Sequence, residues 1–189
     1  QRGEVKITIE DRLPDLAELS IRLEQALGLD EAIVVPSAAD GAGTARAVGL
    51  ALGRLLSEAV TDGMSIGVGW GRTLTAALES LNPPKRAGVK VMSLMGGAVE
   101  TQFTNPFEFS WRLASALQAE CFLFPAPLVV DTSETRALLM ADGSIARLRT
   151  LAESLDLAVV SAGGLAEHSG SLVRQLITGA ERSEERRVG

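Results

Sequence analysis

An α/β fold, with a parallel sheet covered by helices on both faces, is predicted by two features of this 189-residue chain. Short apolar runs recur at Ala32–Val35, Met64–Gly69, Val89–Leu94, Cys121–Phe124 and Leu157–Ser161, most of them without polar alternation. Strands buried on both faces look like this. Amphipathic helical patterns separate the runs, and repeated strand–helix alternation closes through right-handed crossovers into a parallel sheet.

The elements follow in order. Gln1 to Arg12 alternate apolar and polar residues through Val5, Ile7 and Ile9, so residues 1–12 read as an extended arm or short edge strand. Pro14 sits where a first helical turn starts, with Asp15 and Glu18 near its positive end. Leu13, Leu16, Leu19, Leu23 and Leu27 then recur at helical steps up to a stop at Gly28. Ala45 to Val60 forms a second helix, with Val48, Leu52, Leu55, Leu56 and Ala59 on one side. Thr73–Leu81, Pro106–Leu117 and Ile145–Leu155 carry the same periodicity. The domain proper is expected over residues 13–180. Residues 181–189 form a charged tail, where Arg182, Arg186 and Arg187 interleave with Glu181, Glu184 and Glu185. The chain reaches Gly189 without a convincing final strand, so the domain is expected to be incomplete on its C-terminal side.

Composition bounds the function. Apolar residues at 46% and charged residues at 22% exclude a disordered or collagen-like chain. Aromatics are only 4%, with no Tyr, so the core must be built from Ala, Leu, Val and Ile. No apolar run approaches the ~18–20 residues of a membrane helix, and no N-terminal segment looks like a secretion signal. The lone Cys121 rules out an internal disulfide framework and makes a reducing cytoplasm the expected location. The 18 Lys and Arg are outnumbered by 24 Asp and Glu, for a net charge of -6. A domain that grips nucleic-acid phosphates usually carries a basic surplus, so direct contact with DNA by this chain is not expected.

The most informative stretch is Met64-Ser65-Ile66-Gly67-Val68-Gly69-Trp70-Gly71-Arg72-Thr73-Leu74. An apolar strand runs into a glycine-rich turn, and a helix starts at once. The first N–H groups of a helix lack intrahelical partners and, with the helix dipole, form a ready anion site. Glycines let the main chain approach closely, Thr73 adds a hydroxyl, and Arg72 adds a fork of charged donors. The same glycines also suit tight strand–helix packing, and Trp70 could equally stack on a sugar or plug the sheet edge. A dinucleotide fingerprint is excluded because Arg72 stands where its third glycine belongs, and Met95 and Gly96 stand where its acidic residue belongs. No Gly-Lys-Ser/Thr ending supports a triphosphate loop. A phosphate on a small molecule fits better.

Other loops should converge on the same sheet edge. Gly96-Gly97 follows the Val89–Leu94 run and leads into polar Glu100, Thr101, Gln102, Thr104 and Asn105. Asn105 before Pro106 also reads as a helix N-cap. Gly163-Gly164 follows Leu157–Ser161. His168, the single histidine, lies in a polar loop as a solvated or ligand-rim residue, and Cys121 reads as a small buried hydrophobe. No Cys/His cluster has metal-ligand spacing, and no cofactor is expected.

At these residues the sequence resembles a known family. Val34-Val35-Pro36, Ile66-Gly67-Val68-Gly69-Trp70-Gly71-Arg72-Thr73-Leu74, Leu94-Met95-Gly96-Gly97 and Asn105-Pro106 resemble, in order, the effector-binding domain of SorC-type (SorC/DeoR) bacterial transcriptional regulators. Phe124-Pro125-Ala126-Pro127 and Gly163-Gly164-Leu165 keep the same order, and the match runs from about Val5 to Thr178. Val5-Lys6-Ile7 and the Leu-rich helix look like the connector and first helix that follow a DNA-binding module. The resemblance implies a Rossmann-like fold related to glucosamine-6-phosphate deaminases, ribose-5-phosphate isomerases and coenzyme A transferases. It implies a phosphorylated sugar or similar metabolite as effector. Gly69, Trp70, Gly71, Arg72 and Thr73 would hold the phosphate, while Gly96, Gly97 and Gly163 would line the sugar side. The effector would alter the packing of a homo-oligomer, dimer or tetramer, and through it the DNA affinity of an N-terminal helix-turn-helix module. No such module precedes Gln1, so this chain is expected to be the effector domain alone. Ser93 and Met95 stand where the family usually has a polar pair. The family's C-terminal lysine and acidic ligand contacts have no counterpart, since the only lysines are Lys6, Lys85 and Lys90.

Two other classes compete. A sugar-phosphate isomerase or deaminase on the same scaffold would need a general base, and Glu100 and His168 are the candidates. A purely structural oligomerisation module would bind no metabolite at all.

Overall fold

The computed structural model describes residues 14–97 and 105–162. The predicted arm, the charged tail, Glu100, Gly163, Gly164 and His168 lie outside the described residues. The elements run α1 (Pro14–Leu27), α2 (Gly41–Ala59), β1 (Ser65–Val68), α3 (Arg72–Ala77), β2 (Lys90–Ser93), α4 (Pro106–Leu117), β3 (Glu120–Phe122), α5 (Ser133–Ala141), α6 (Gly143–Glu153) and β4 (Leu157–Val159).

The four strands form one sheet in the order β3-β2-β1-β4, and every pairing is parallel. β1 is central and buried at all four residues, as its unbroken apolar run requires. Ile66 and Val68 alternate with Gly67, so they face one side of the sheet and Gly67 the other. A Cβ at Gly67 would collide with Leu155 and lie 2.7 Å from Leu94 Cδ2. The connections β1–α3–β2 and β2–α4–β3 step the sheet in one direction. The connection through α5 and α6 carries the chain back past β1 to β4 in the other. Right-handed crossovers therefore put α3 and α4 on one face and α5 and α6 on the opposite face. Phe109, Leu113 and Leu117 of α4 pack with Val89 and Val91, and the same cluster takes in Leu56, Val60, Leu74, Ile66 and Val68.

Helix ends follow local chemistry. Gly28, with φ +64°, ends α1, and Leu29 N–H donates to the Glu24 carbonyl at 3.0 Å. α4 begins and ends where its periodicity places it, with Asn105 capping Phe107 N–H and Gln118 left-handed at its end. α3 stops at Ala77, four residues early, because Leu78, Glu79 and Ser80 make tighter bonds to carbonyls three residues back. Ser80 Oγ also donates to the Leu50 carbonyl at 2.7 Å, which ties that turn to α2.

Three expectations need correction. Ala32–Val35 is not a strand. Its Ala32 N–H donates to the Glu24 side chain at 2.9 Å, so the segment is tied to α1 rather than to a ladder. On α2, Leu56 lies in the core and Leu52 packs against it as expected, but the rest of the buried stripe is rotated from the aliphatic side. Gly49, Ala51, Gly53 and Leu56 are buried, while Val48 and Leu55 are 42% and 36% exposed. The glycines face inward because α3 approaches there. Finally, α5 is a helix that the periodicity did not indicate, since it buries no residue and carries Leu138 in solvent.

Candidate functional site

β1 ends at Val68, and the chain turns at once. Gly69 N–H donates to the Val159 carbonyl at 2.8 Å, which extends the pairing with β4 by one residue. Ser161 Oγ donates to the Trp70 carbonyl at 2.9 Å. Gly71 has φ +143° and ψ +164°, and a Cβ there would lie 2.9 Å from Ser161 Oγ. The Gly69–Gly71 turn is thus stitched to the segment that follows β4. In an open parallel sheet this place has a particular meaning. The strand order reverses between β1 and β4, and in open parallel sheets the crevice outside the carboxyl ends at such a point is where ligands bind.

The start of α3 differs from that of its neighbours. Asp40 caps α2, Asn105 caps α4, Thr132 caps α5 and Asp142 caps α6, each accepting from a first-turn N–H. Gly71 occupies the cap position of α3 and offers no side-chain acceptor. The Gly71 carbonyl takes Thr75 N–H at 2.9 Å, as a cap carbonyl should, but among the described residues no side chain accepts from the first-turn amides at Arg72 and Thr73.

The second glycine pair has a different setting. Gly97 N–H donates to the Ala126 carbonyl, and Leu128 N–H donates to the Gly97 carbonyl, both at 2.9 Å. A Cβ on Gly96 would collide with the Ala126 carbonyl oxygen and lie 2.7 Å from that of Pro127. One on Gly97 would lie 2.8 Å from the Phe107 ring. Main chain packed on main chain accounts for Gly96, and the Phe107 ring packed on main chain accounts for Gly97. It also explains why they occur together with Pro125-Ala126-Pro127. The Asn105 side chain serves as the α4 cap, its Oδ1 accepting from Phe107 N–H at 3.0 Å.

Arg72 is exposed and lies on the wall of a cavity of about 240 Å³ between α2 and α3. Ala42, Ala45 and Ala76 supply its apolar lining, and Arg46, Thr75 and Glu79 join Arg72 as its polar groups. The two helices touch just beyond it. A methyl at Gly49 would collide with the Thr73 carbonyl and lie 2.6 Å from Ala76 Cβ, and one at Gly53 would collide with the Ala77 carbonyl and the Ser80 hydroxyl. Arg46 Nη2 and Nε donate to Glu79 Oε2 at 2.6 and 2.9 Å, with the side chains 63% and 46% exposed. The Arg46 hydrogen bond holds the Glu79 carboxyl below its usual range, and Glu79 pushes the guanidinium up. A solvent-exposed pair of this kind contributes little, so an incoming anion can compete for Arg46.

Sequence reasoning singled out neither Arg46 nor Glu79, because exposed charges on a helix carry no pattern. The only available signal was the Gly49–Gly53 spacing, which brings α2 against α3. Among the described residues no group of three His, Cys, Asp or Glu side chains could hold a metal ion, and no helix is long and apolar enough to cross a membrane.

An open parallel sheet with a glycine turn at its switch point defines a doubly wound α/β domain of ligand-binding type. The family model described as "Putative sugar-binding domain" matches residues 11–189, and the chain belongs to that family. It is 30% identical over 165 residues to the deoxyribonucleoside regulator of Bacillus subtilis, covering 86% of this chain and 53% of the relative. It is 27% identical over 163 residues to the erythritol catabolism regulatory protein EryD of Brucella abortus, covering 85% of this chain and 52% of the relative. Among solved structures, the full-length sorbitol operon regulator SorC of Klebsiella pneumoniae superposes with a TM-score of 0.84 at 24% identity, covering 97% of this chain and 61% of that one. The chain thus spans about half the length of the curated relatives it matches. These relatives are transcriptional regulators rather than enzymes, so the isomerase or deaminase alternative is not favoured.

Proposed function

We propose that this chain is the effector-sensing domain of a bacterial transcriptional regulator and that its effector is a phosphorylated sugar or similar metabolite. The reading is carried by one observation, the uncapped start of α3 at the sheet's switch point. Amides without a side-chain acceptor favour a negative group there, and Gly69 and Gly71 allow it close to the main chain. Gly69, Trp70, Gly71, Arg72 and Thr73 receive the phosphate. Gly96, Gly97, Glu100, Asn105, Gly163 and Gly164 belong to the loops proposed to surround the sugar, and the packing of Gly96-Gly97 on Ala126-Pro127 gives that side a rigid wall. DNA is contacted through a separate domain, in keeping with a net charge of -6 here. The effector biases the association of subunits and thereby the affinity for DNA.

Combining Arg72→Ala with Thr73→Val removes a charged fork and a hydroxyl while leaving the glycines in place. Calorimetry with phosphorylated sugars should show binding weakened tenfold or more, ~1.4 kcal/mol or above. Unchanged affinity would show the phosphate to be seated elsewhere.

A further inference from the structure

We propose that the groove between α2 and α3 binds a phosphoryl group, with Arg46 and Arg72 as its two cationic arms and Glu79 as a built-in competitor for Arg46. The inference rests on the effector reading only for the phosphorylated character of the ligand. Its geometry is separate.

The groove exists because Gly49 lets α2 and α3 meet while Ala42, Ala45 and Ala76, lacking bulk, leave the space beside that contact empty. Its volume of about 240 Å³ equals roughly eight waters, enough for a phosphoryl group with several carbons attached. Arg46, Arg72 and Glu79 all line it, two cationic residues to one acidic, so its charged lining is net positive within an acidic chain. Among the described residues no carboxylate or carbonyl engages the Arg72 side chain, whereas Arg46 is held on Glu79 by two short bonds. A phosphoryl group would accept from the Arg72 fork directly and from Arg46 by taking the place of Glu79. The exposed Arg46–Glu79 pair is weak enough for that exchange. Affinity in this groove is therefore tuned by residue 79.

The test is a titration of the full chain with inorganic phosphate at constant ionic strength. It follows the Nε–H resonances of Arg46 and Arg72 and the main-chain amides of Arg72 and Thr73 by NMR. The Arg46 and Arg72 side-chain signals should shift together along one saturable curve, and Glu79→Gln should bring its midpoint down threefold or more. Arg46→Lys, which keeps the charge but loses the fork, should raise the midpoint read at Arg72. A static Arg46 signal, a drift matched by chloride, or an unchanged midpoint in Glu79→Gln overturns the proposal. Saturation of the turn amides with Arg46 static would leave the effector reading standing and remove this one. Saturation of Arg46 in Thr73→Val as in the parent, with the turn amides static in both, would retain the groove and remove the effector reading.

Discussion

A methyl group at position 71 would do more damage than its size suggests. The backbone there has φ +143°, a conformation that a side chain rarely adopts, and the added carbon would lie 2.9 Å from Ser161 Oγ. That hydroxyl already donates to the Trp70 carbonyl, so turning it aside loosens the stitch between the β1 turn and the segment after β4. Gly71→Ala should cost ~1–3 kcal/mol of stability, read from urea unfolding. It should weaken binding of the proposed phosphorylated effector as well, because the same turn presents the α3 amides. Ser161→Ala separates the two effects: it removes the hydroxyl but leaves φ at position 71 relaxed, so its stability loss should be smaller. An alanine at position 71 with parental stability would mean that the turn is not held as described.

At the scale of elements, the contact between α2 and α3 depends on two missing side chains. A Cβ at Gly53 would collide with the Ala77 carbonyl, which belongs to backbone and cannot swing away. Gly53→Ala should therefore push the helices apart and cost ~1–3 kcal/mol despite alanine's better helix propensity. Gly41→Ala serves as the control, since a Cβ there meets nothing within 4 Å. Denaturant unfolding of the pair should show loss at 53 and none at 41; equal midpoints would remove the close-packing account. This contact also shows where the sequence could be read and where it could not. α4 was legible to the residue because Asn105-Pro106 announces its start and Phe109, Leu113 and Leu117 share one buried face. The α2 stripe is legible only in part: Leu52 and Leu56 do pack on the core, but aliphatic periodicity also marks the exposed Val48 and Leu55, whereas burial there is decided by where glycine admits another backbone. α5 was invisible for the opposite reason, having no buried residue to create a period. Ala32–Val35 looked like a strand because composition cannot reveal whether a neighbouring ladder is there to receive it. The site divides in the same way. The Gly69–Thr73 turn was legible from local chemistry, while Arg46 and Glu79 lie 33 residues apart and meet only through packing.

For the whole molecule, sensing requires that binding energy become a change in association. A ligand that binds folded protein alone stabilises it by an amount set by its excess over the dissociation constant, ~2.7 kcal/mol at a hundredfold excess. In a domain of this size that corresponds to a rise of roughly 5–10 °C in Tm. A thermal-shift comparison of phosphorylated sugars with their unphosphorylated counterparts should therefore separate the two sets, the phosphorylated member giving the larger rise at equal concentration. Stabilisation alone does not make a sensor. A metabolite with equal affinity for two subunit arrangements shifts neither, however tightly it binds. The sheet's switch point and the α2–α3 groove both lie at helix starts, so an anion seated there would fix α3 relative to α2 and to the segment that follows β4. A sugar phosphate that raises Tm should on this account also move the sedimentation coefficient or the concentration midpoint of self-association. The Arg72→Ala/Thr73→Val variant should lose both responses together. If Tm rises with ligand while sedimentation stays constant across the full protein range, the domain binds its metabolite without transmitting it through oligomer packing. Any control of DNA affinity would then have to pass through the connection to the separate domain proposed to contact DNA.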